Sequence, residues 1–229
     1  MTLYIAPVVE GHTEQRCVER LLQRIWSDLL GRTEPLRVLP PHRHGRNLLI
    51  SSANSTLPQV VQKAYQDLIS KSRYDPDAQS LLLILLDCET EDPKTLEPQL
   101  LSVAVSALPP GSLVSCVLAT RMIENWFVAG CSTLAGLQGL PTPLLPPSDP
   151  EGRSGTKWLD DQIKLYSRGK NKYKKTTDAA VFALKMNLQE CRASSPSFDK
   201  LCRELERLIP PLVPPPSPPP LPPDPAPTP

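Results

Sequence analysis

The sequence lacks several features that would mark common classes of protein. It contains no Gly-x-x-x-x-Gly-Lys loop, so we expect no nucleotide to be bound by this chain alone. No apolar run approaches the roughly 18 residues that a membrane-spanning helix needs, and we expect no membrane association. The formal net charge of +1 provides no global attraction to nucleic acid, so any such argument rests on local charge.

The cysteines form no recognisable framework. They stand at Cys17, Cys88, Cys116, Cys131, Cys191 and Cys202. No Cys-x-x-Cys pair and no regular spacing occurs among them, which argues against a zinc site or a set of disulfides. We therefore expect reduced cysteines in a cytoplasmic protein.

Proline is concentrated at the C-terminus. Residues 210–229 are mostly proline and predict an extended, unpacked polyproline II tail. The rest of the chain is long enough for one α/β domain with a small appendage. We expect an α/β core over 1–130, a loop and helical extension packed on it over 131–209, and a disordered tail over 210–229.

Continuous apolar runs alternate with helical patterns in the first half of the chain. The runs predict buried strands at Leu3–Val9, Ser80–Leu86 and Leu113–Ala119. Helical spacing follows the first run, covers Leu57–Ser72, and begins again at Asp92-Pro93. This alternation predicts an α/β fold with an open, mainly parallel sheet of about four strands and helices on both faces. Pro7 predicts a bulge or a near-edge position for the first strand, because proline cannot donate to a ladder.

Acidic residues follow all three predicted strands. Glu10, Asp87 and Glu124 stand at or just beyond the strand ends, and Glu89 comes two residues after Asp87. The carboxyl ends of parallel strands meet at one edge of a sheet, where α/β proteins bind ligands. Converging carboxylates repel one another unless a hard cation lies among them. The pattern predicts a Mg²⁺ or Mn²⁺ site suited to phosphoryl transfer.

Structural alternatives exist for these acids. Glu10 would also stabilise the N-terminus of the following helix, with Thr13 as a cap. Glu14 falls in the first turn of that helix, where it compensates the helix dipole or reaches the site. Glu124 would also form an ordinary i,i+3 pair with Arg121. The sequence leaves these alternatives open.

A basic segment lies in the second half of the chain. Residues 168–175 contain five positive charges in eight residues, with an aromatic ring among them at Tyr173. Such a segment either grips phosphates while a base stacks on the tyrosine, or forms a solvated loop.

The order of the motifs resembles a known family. VVEGHTE followed by LLDCET resembles the Toprim domain of topoisomerases, primases and OLD-type nucleases. With IENWFVAG and the block KYKKTTDAAVFALKMNLQECRASSPSFDKL, the chain resembles, over about residues 3–208, an uncharacterised bacterial family with a Toprim-like fold, domain of unknown function 4276.

The resemblance implies roles for individual residues. Glu10 would be a metal ligand and general base, and Asp87 and Glu124 would be metal ligands. Glu89 stands where the family's second aspartate is expected. Its extra methylene group either shifts the geometry of the metal site or makes the site catalytically inactive. The resemblance also favours phosphate contact by the basic segment. The residues implied are Arg168, Lys170, Lys172 and Tyr173 for nucleic acid, and Lys174 and Lys175 for charge at the scissile phosphate.

The resulting hypothesis is a Mg²⁺- or Mn²⁺-dependent nuclease or phosphotransfer protein that acts on DNA or RNA. The resemblance implies bacterial anti-phage defence with a separate ATPase partner. The alternatives are a non-catalytic adaptor or sensor of such an ATPase, and a metal-dependent phosphoesterase with a small substrate.

Overall fold

A five-stranded parallel sheet lies at the centre of the computed structural model, which describes residues 1–51 and 55–208. The strands are Thr2–Val9 (β1), Leu36–Val38 (β2), His42–Arg43 (β3), Ala78–Asp87 (β4) and Leu113–Ala119 (β5). Their order is β2-β1-β4-β5, and β3 also pairs with β1. The α/β fold with a parallel sheet is therefore confirmed. The predicted tail at 210–229 lies outside the described residues.

Helices connect the strands and make up most of the second half of the described chain. The helices are His12–Arg24 (α1), Arg46–Ile50 (α2), Leu57–Ser72 (α3), Pro93–Ser106 (α4), Glu124–Ala129 (α5), Gly155–Tyr166 (α6), Lys175–Lys185 (α7), Leu188–Ser194 (α8) and Pro196–Glu206 (α9). A π-helical turn, Ile25–Leu29, extends α1. The Asp92 side chain caps α4 by accepting from the Lys94 N–H, as the Asp-Pro pair predicts. Within the described ranges, no helix is both long and apolar enough to cross a bilayer.

Both faces of the sheet are covered, which explains the continuous apolar runs. Along β4, Leu81, Leu83 and Leu85 belong to a hydrophobic cluster with α1 and the C-terminal helices. The alternate residues Leu82, Ile84 and Leu86 belong to a second cluster with α3 and α4. Because successive side chains point to opposite faces, a strand buried on both sides is apolar at every position.

Pro7 is accommodated in the interior of the sheet. It pairs in continuous register with Leu83 of β4, so β1 has no bulge there. On the edge of β1 away from β4, the Ile5 carbonyl accepts a hydrogen bond from the Leu39 N–H. The backbone of Pro7, two residues further along β1, faces the same edge. On that side, β2 pairs with β1 only as far as Ile5, and β3 pairs with β1 only from Val8 onward. Pro7 therefore faces the gap between these two short strands, where β1 needs no N–H donor.

The C-terminal helices pack on the same face of the sheet as α1. Trp126 and Phe198 meet edge to face with ring centroids 5.3 Å apart, and Phe127 meets Phe182 at 5.9 Å. The indole N–H of Trp126 donates to Ser197 Oγ at 2.8 Å. Residues on both sides of position 130 thus share one hydrophobic cluster. The domain boundary at that position stays a prediction.

Asn125 attaches the loop before α6 to the sheet edge. Its fully buried amide donates to the carbonyls of Thr120, Glu151 and Arg153 at 3.0–3.2 Å. Its Oδ1 accepts from the Gly155 N–H at 2.7 Å. A Cβ at Gly155 would lie 2.4 Å from that Oδ1, so glycine permits the close approach.

We expect Gly155→Ala to reduce the free energy of unfolding by about 1–3 kcal/mol, because the added methyl group overpacks a buried contact. Gly45→Ala is the matched control, since no described atom lies within 4 Å of its added Cβ. Urea unfolding followed by circular dichroism measures both variants. Equal unfolding midpoints for the two variants would contradict this account of the loop.

Candidate metal centre

Three carboxylates converge at the carboxyl edge of the sheet. Glu10 directly follows β1 and Asp87 ends β4, and these strands are hydrogen-bonded neighbours up to the pair Val9–Leu85. Glu14 joins them from the first turn of α1. One oxygen from each of the three side chains lies within 4.8 Å of the others. The structure thus brings together two of the acids expected from the strand ends and adds a third.

Glu14 is the buried member that the strand-end argument did not select. Its side chain is 2% exposed, and Oε1 has no hydrogen-bond partner among the described residues. A Cβ at Gly11 would lie 2.5 Å from Glu14 Oε2, so only glycine allows the carboxylate this close to the turn. The sequence feature that indicates this role for Glu14 is its spacing from Gly11 in the turn after β1.

Glu124 lies beside this cluster at the start of α5 and is fully buried. Its Oε1 accepts from Thr13 Oγ1 at 3.0 Å and lies 3.2 Å from Lys175 Nζ. Its Oε2 has no partner in the part of the chain that the structure describes. The ion pair of Glu124 is therefore with Lys175 of α7, and the hydroxyl of Thr13 serves this carboxylate.

The convergence of charge changes the protonation of the cluster. Burial, followed by the charges of Glu10 and Glu124, raises the pKa of Glu14 to about 7. Burial and the charges of Glu14 and Glu124 also raise the pKa of Asp87 well above its usual range, although its Oδ1 accepts from the Ile123 N–H at 2.8 Å. Burial raises the pKa of Glu10 too, against the opposing effect of Arg46. A cation bound among these groups would favour their charged forms.

Arg46 lies at the rim of the cluster and holds Glu10 in place. Its Nη1 donates to Glu10 Oε2 at 3.1 Å and to the carbonyl of Asp87. Its Nη2 donates to the carbonyl of Cys88 at 3.3 Å. The guanidinium thereby ties the end of β1 to the end of β4. Arg46 begins the short helix α2, which was not predicted from the sequence.

Glu89, expected from the sequence to be a metal ligand, does not join the three converging carboxylates. Its side chain is 56% exposed, and its Oε2 lies 3.4 Å from Arg46 Nε. The backbone at Glu89 is left-handed, with φ 53°, in the turn that follows β4. Glu91 binds the same guanidinium, with its Oε2 2.6 Å from Nη2. Arg46 thus pairs with two acids outside the cluster as well as with Glu10, and Glu14 lies in the cluster where Glu89 was expected.

The basic segment divides into exposed and buried residues. Arg168, Lys170, Lys172 and Lys174 are exposed, whereas Tyr173 is 7% exposed. The ring of Tyr173 stacks on Phe182 at 5.8 Å between centroids, inside the hydrophobic cluster under α1. The expectation that a base stacks on Tyr173 is therefore corrected, because both the ring and its hydroxyl are buried.

The fold and site define an α/β protein with a candidate acidic metal centre at the carboxyl edge of a parallel sheet. A family model described as domain of unknown function (DUF4276) matches residues 9–206, and the chain belongs to this family. The match covers the converging acids, Arg46 and Lys175. No curated protein and no solved structure matches the chain.

The metal-free protein should become less stable as the pH rises. The pKa of Glu14 is about 7 in the folded protein against an ordinary value of 4.5, so the folded state binds more protons between these values. Stability present below pH 4.5 is then lost as the pH rises through about 7. We expect Glu14→Gln to raise the Tm at pH 8 in EDTA and to flatten the dependence of Tm on pH.

Glu19→Gln is the matched control, because Glu19 is exposed on the same helix. Thermal unfolding of both variants and the wild type at pH 5 and pH 8 gives the comparison. A Tm of Glu14→Gln below that of the wild type at pH 8 would show that the charged carboxylate of Glu14 does not destabilise the folded protein.

Proposed function

We propose that the protein is a Mg²⁺- or Mn²⁺-dependent nuclease, with the divalent ion held by Glu10, Glu14 and Asp87. The observation that carries this proposal is the pair of buried carboxylate oxygens that have no hydrogen-bond partner among the described residues, Glu14 Oε1 and Glu124 Oε2, at a place where acids already converge. A buried, uncompensated carboxylate is costly, and a cation among the acids offsets that cost.

The charges around the cluster support the choice of a divalent ion. Four acids, Glu10, Glu14, Asp87 and Glu124, face two cationic side chains in the described residues. Arg46 pairs with Glu10 and Lys175 with Glu124, so Glu14 and Asp87 have no ion pair within residues 1–51 and 55–208. Hard carboxylate oxygens are the ligands that Mg²⁺ and Mn²⁺ prefer.

The protein side chains have separable roles in phosphodiester hydrolysis. When bound, the ion supplies stabilisation of negative charge on the phosphate. Glu10 acts as the general base towards water, and Arg46 orients it through the 3.1 Å hydrogen bond. Lys175 is half-exposed while paired with Glu124, so its ammonium group lies between the buried acids and solvent. There it would stabilise charge that develops on the scissile phosphate.

The resemblance of VVEGHTE and LLDCET to Toprim motifs favours nucleic acid as the substrate, and the exposed cations Arg168, Lys170 and Lys172 would hold its backbone. An ATPase partner and a part in anti-phage defence stay predictions that follow from the same resemblance, and the cytoplasmic location stays a prediction that follows from the cysteine pattern.

We expect Glu14→Gln and Asp87→Asn to weaken Mn²⁺ binding by more than about tenfold, since even outer-shell changes cost about 10–100-fold at metal sites. Isothermal titration calorimetry with Mn²⁺ measures the effect on the purified chain. Glu89→Gln is the matched control, because this carboxylate lies two residues from Asp87 but outside the converging set. Equal losses in Glu14→Gln and Glu89→Gln would reject the assigned ligands.

Cleavage of plasmid DNA and of a structured RNA in Mn²⁺ tests the activity itself. We expect Glu10→Gln to slow cleavage by about 10²- to 10⁴-fold, the usual contribution of a general base. The control variant Glu89→Gln should keep most of the wild-type rate. Full cleavage activity in Glu10→Gln would contradict the nuclease assignment.

The position of Arg46 favours one second candidate, a non-catalytic adaptor or sensor. Its guanidinium binds Glu10, Glu89 and Glu91 and so acts as a built-in cation at the rim of the cluster. This candidate predicts no Mn²⁺ binding and co-purification with an ATPase. A small-substrate phosphoesterase instead predicts Mn²⁺-dependent hydrolysis of p-nitrophenyl phosphate without affinity for polynucleotides.

A further inference from the structure

A polar cavity of about 350 Å³ lies where the basic segment meets the turn at residues 137–139. Lys172 and Lys174 line it together with Asn171 and Gly139. The next residue along the chain, Lys175, reaches Glu124 at the acidic cluster. The cavity is therefore connected to the cluster through adjacent residues of one segment.

The two lysines of the cavity form no ion pair in the described residues, unlike Lys164 and Lys175 nearby. Lys164 is paired with Asp160 at 2.5 Å, and Lys175 is paired with Glu124 at 3.2 Å. Neither Lys172 nor Lys174 forms an ion pair with a carboxylate in residues 1–51 or 55–208. Two unpaired ammonium groups at one concave surface attract an anion and are matched by phosphate oxygens.

The acid in the cavity wall is already engaged. Asp178 is 5% exposed, and its Oδ2 accepts from the Lys174 backbone N–H at 2.7 Å. Its Oδ1 accepts from Thr177 Oγ1 at 3.0 Å. Both oxygens thus accept hydrogen bonds within the first turn of α7, and in the described residues neither forms an ion pair with Lys172 or Lys174.

Asn171 adds a neutral hydrogen-bond donor to the cavity wall. Gly139 has φ +87°, and Asn171 Nδ2 lies 3.6 Å from the place where a Cβ would be. The side-chain amide of Asn171 forms no hydrogen bond within the described parts of the chain, since its hydrogen bonds with Ser167 use the backbone. This amide can donate to a ligand oxygen beside the two lysines.

We propose that this cavity binds a backbone phosphate of the nucleic-acid strand, one that neighbours the phosphate at the metal centre, through Lys172, Lys174 and Asn171. This inference rests on the proposed function, which identifies the ligand as a nucleic-acid strand. The chemistry that it requires is that of a phosphate anion, for which two ammonium groups and one amide are the donors.

The test measures binding of a fluorescein-labelled single-stranded oligodeoxynucleotide by anisotropy in EDTA, over a series of salt concentrations. We expect the double variant Lys172→Ala/Lys174→Ala to bind at least tenfold more weakly. The slope of log K against log salt should fall by about 0.7, since the two lysines together neutralise one phosphate and each neutralised phosphate of a single strand contributes about 0.7. Lys63→Ala/Lys94→Ala is the matched control, because it removes the same charge from exposed sites on α3 and α4.

Equal affinities of the two double variants would overturn the proposal. Inorganic phosphate is titrated in a second arm at constant ionic strength. Calorimetric binding of phosphate that disappears in Lys172→Ala/Lys174→Ala, with unchanged oligonucleotide affinity, would also overturn it, because the cavity would then serve a free anion.

Mn²⁺ binding separates this inference from the proposed function. Lys172→Ala/Lys174→Ala should bind Mn²⁺ as the wild type does, and Glu14→Gln should keep its oligonucleotide affinity in EDTA. Normal Mn²⁺ binding together with unchanged oligonucleotide affinity in the lysine variant would reject the cavity alone. Loss of oligonucleotide affinity in the lysine variant, with no Mn²⁺ binding by the wild type, would support the cavity and reject the metal centre.

Discussion

Buried negative charge at the carboxyl edge of the sheet is the constraint on which the rest of the site depends. Burial and mutual repulsion raise the pKa of both Glu14 and Asp87. The surrounding structure reduces this cost only in part, since Arg46 binds Glu10 and Lys175 binds Glu124. Oxygens of Glu14 and Glu124 are left without described partners. Folded proteins keep such groups mainly where they bind a ligand or perform chemistry.

The same constraint explains how distant parts of the chain come to form one site. Helix α1 carries Thr13 and Glu14 and packs against α7, whose first residue is Lys175. Glu124 lies between them, bonded to Thr13 and paired with Lys175. Helix α7, which follows position 130, is thus part of the acidic centre, and the family match extends past it to residue 206. A protein limited to the sheet and its first helices would bury Glu124 without its cation.

Much of the fold was predictable because its long elements have clear periodicity. Leu57–Ser72 and Leu113–Ala119 agree with the structure at both ends, and Asp92 caps α4 as its pairing with proline predicts. The strands β2 and β3 were missed, since two or three residues cannot establish an alternation. The gap between them is also what makes Pro7 compatible with an interior strand. Helix α2, and with it the pairing of Arg46 with Glu10, was missed for the same reason of length.

The sequence by itself determined the sheet, the edge at which Glu10 and Asp87 meet, and the basic character of the segment near Lys174. These features follow from local periodicity and from the geometry common to parallel sheets. Only the tertiary structure decided that Glu14 and not Glu89 completes the cluster, that Tyr173 is buried, and that Lys175 pairs with Glu124. Such choices depend on burial and on contacts between residues far apart in the chain, which no local pattern encodes.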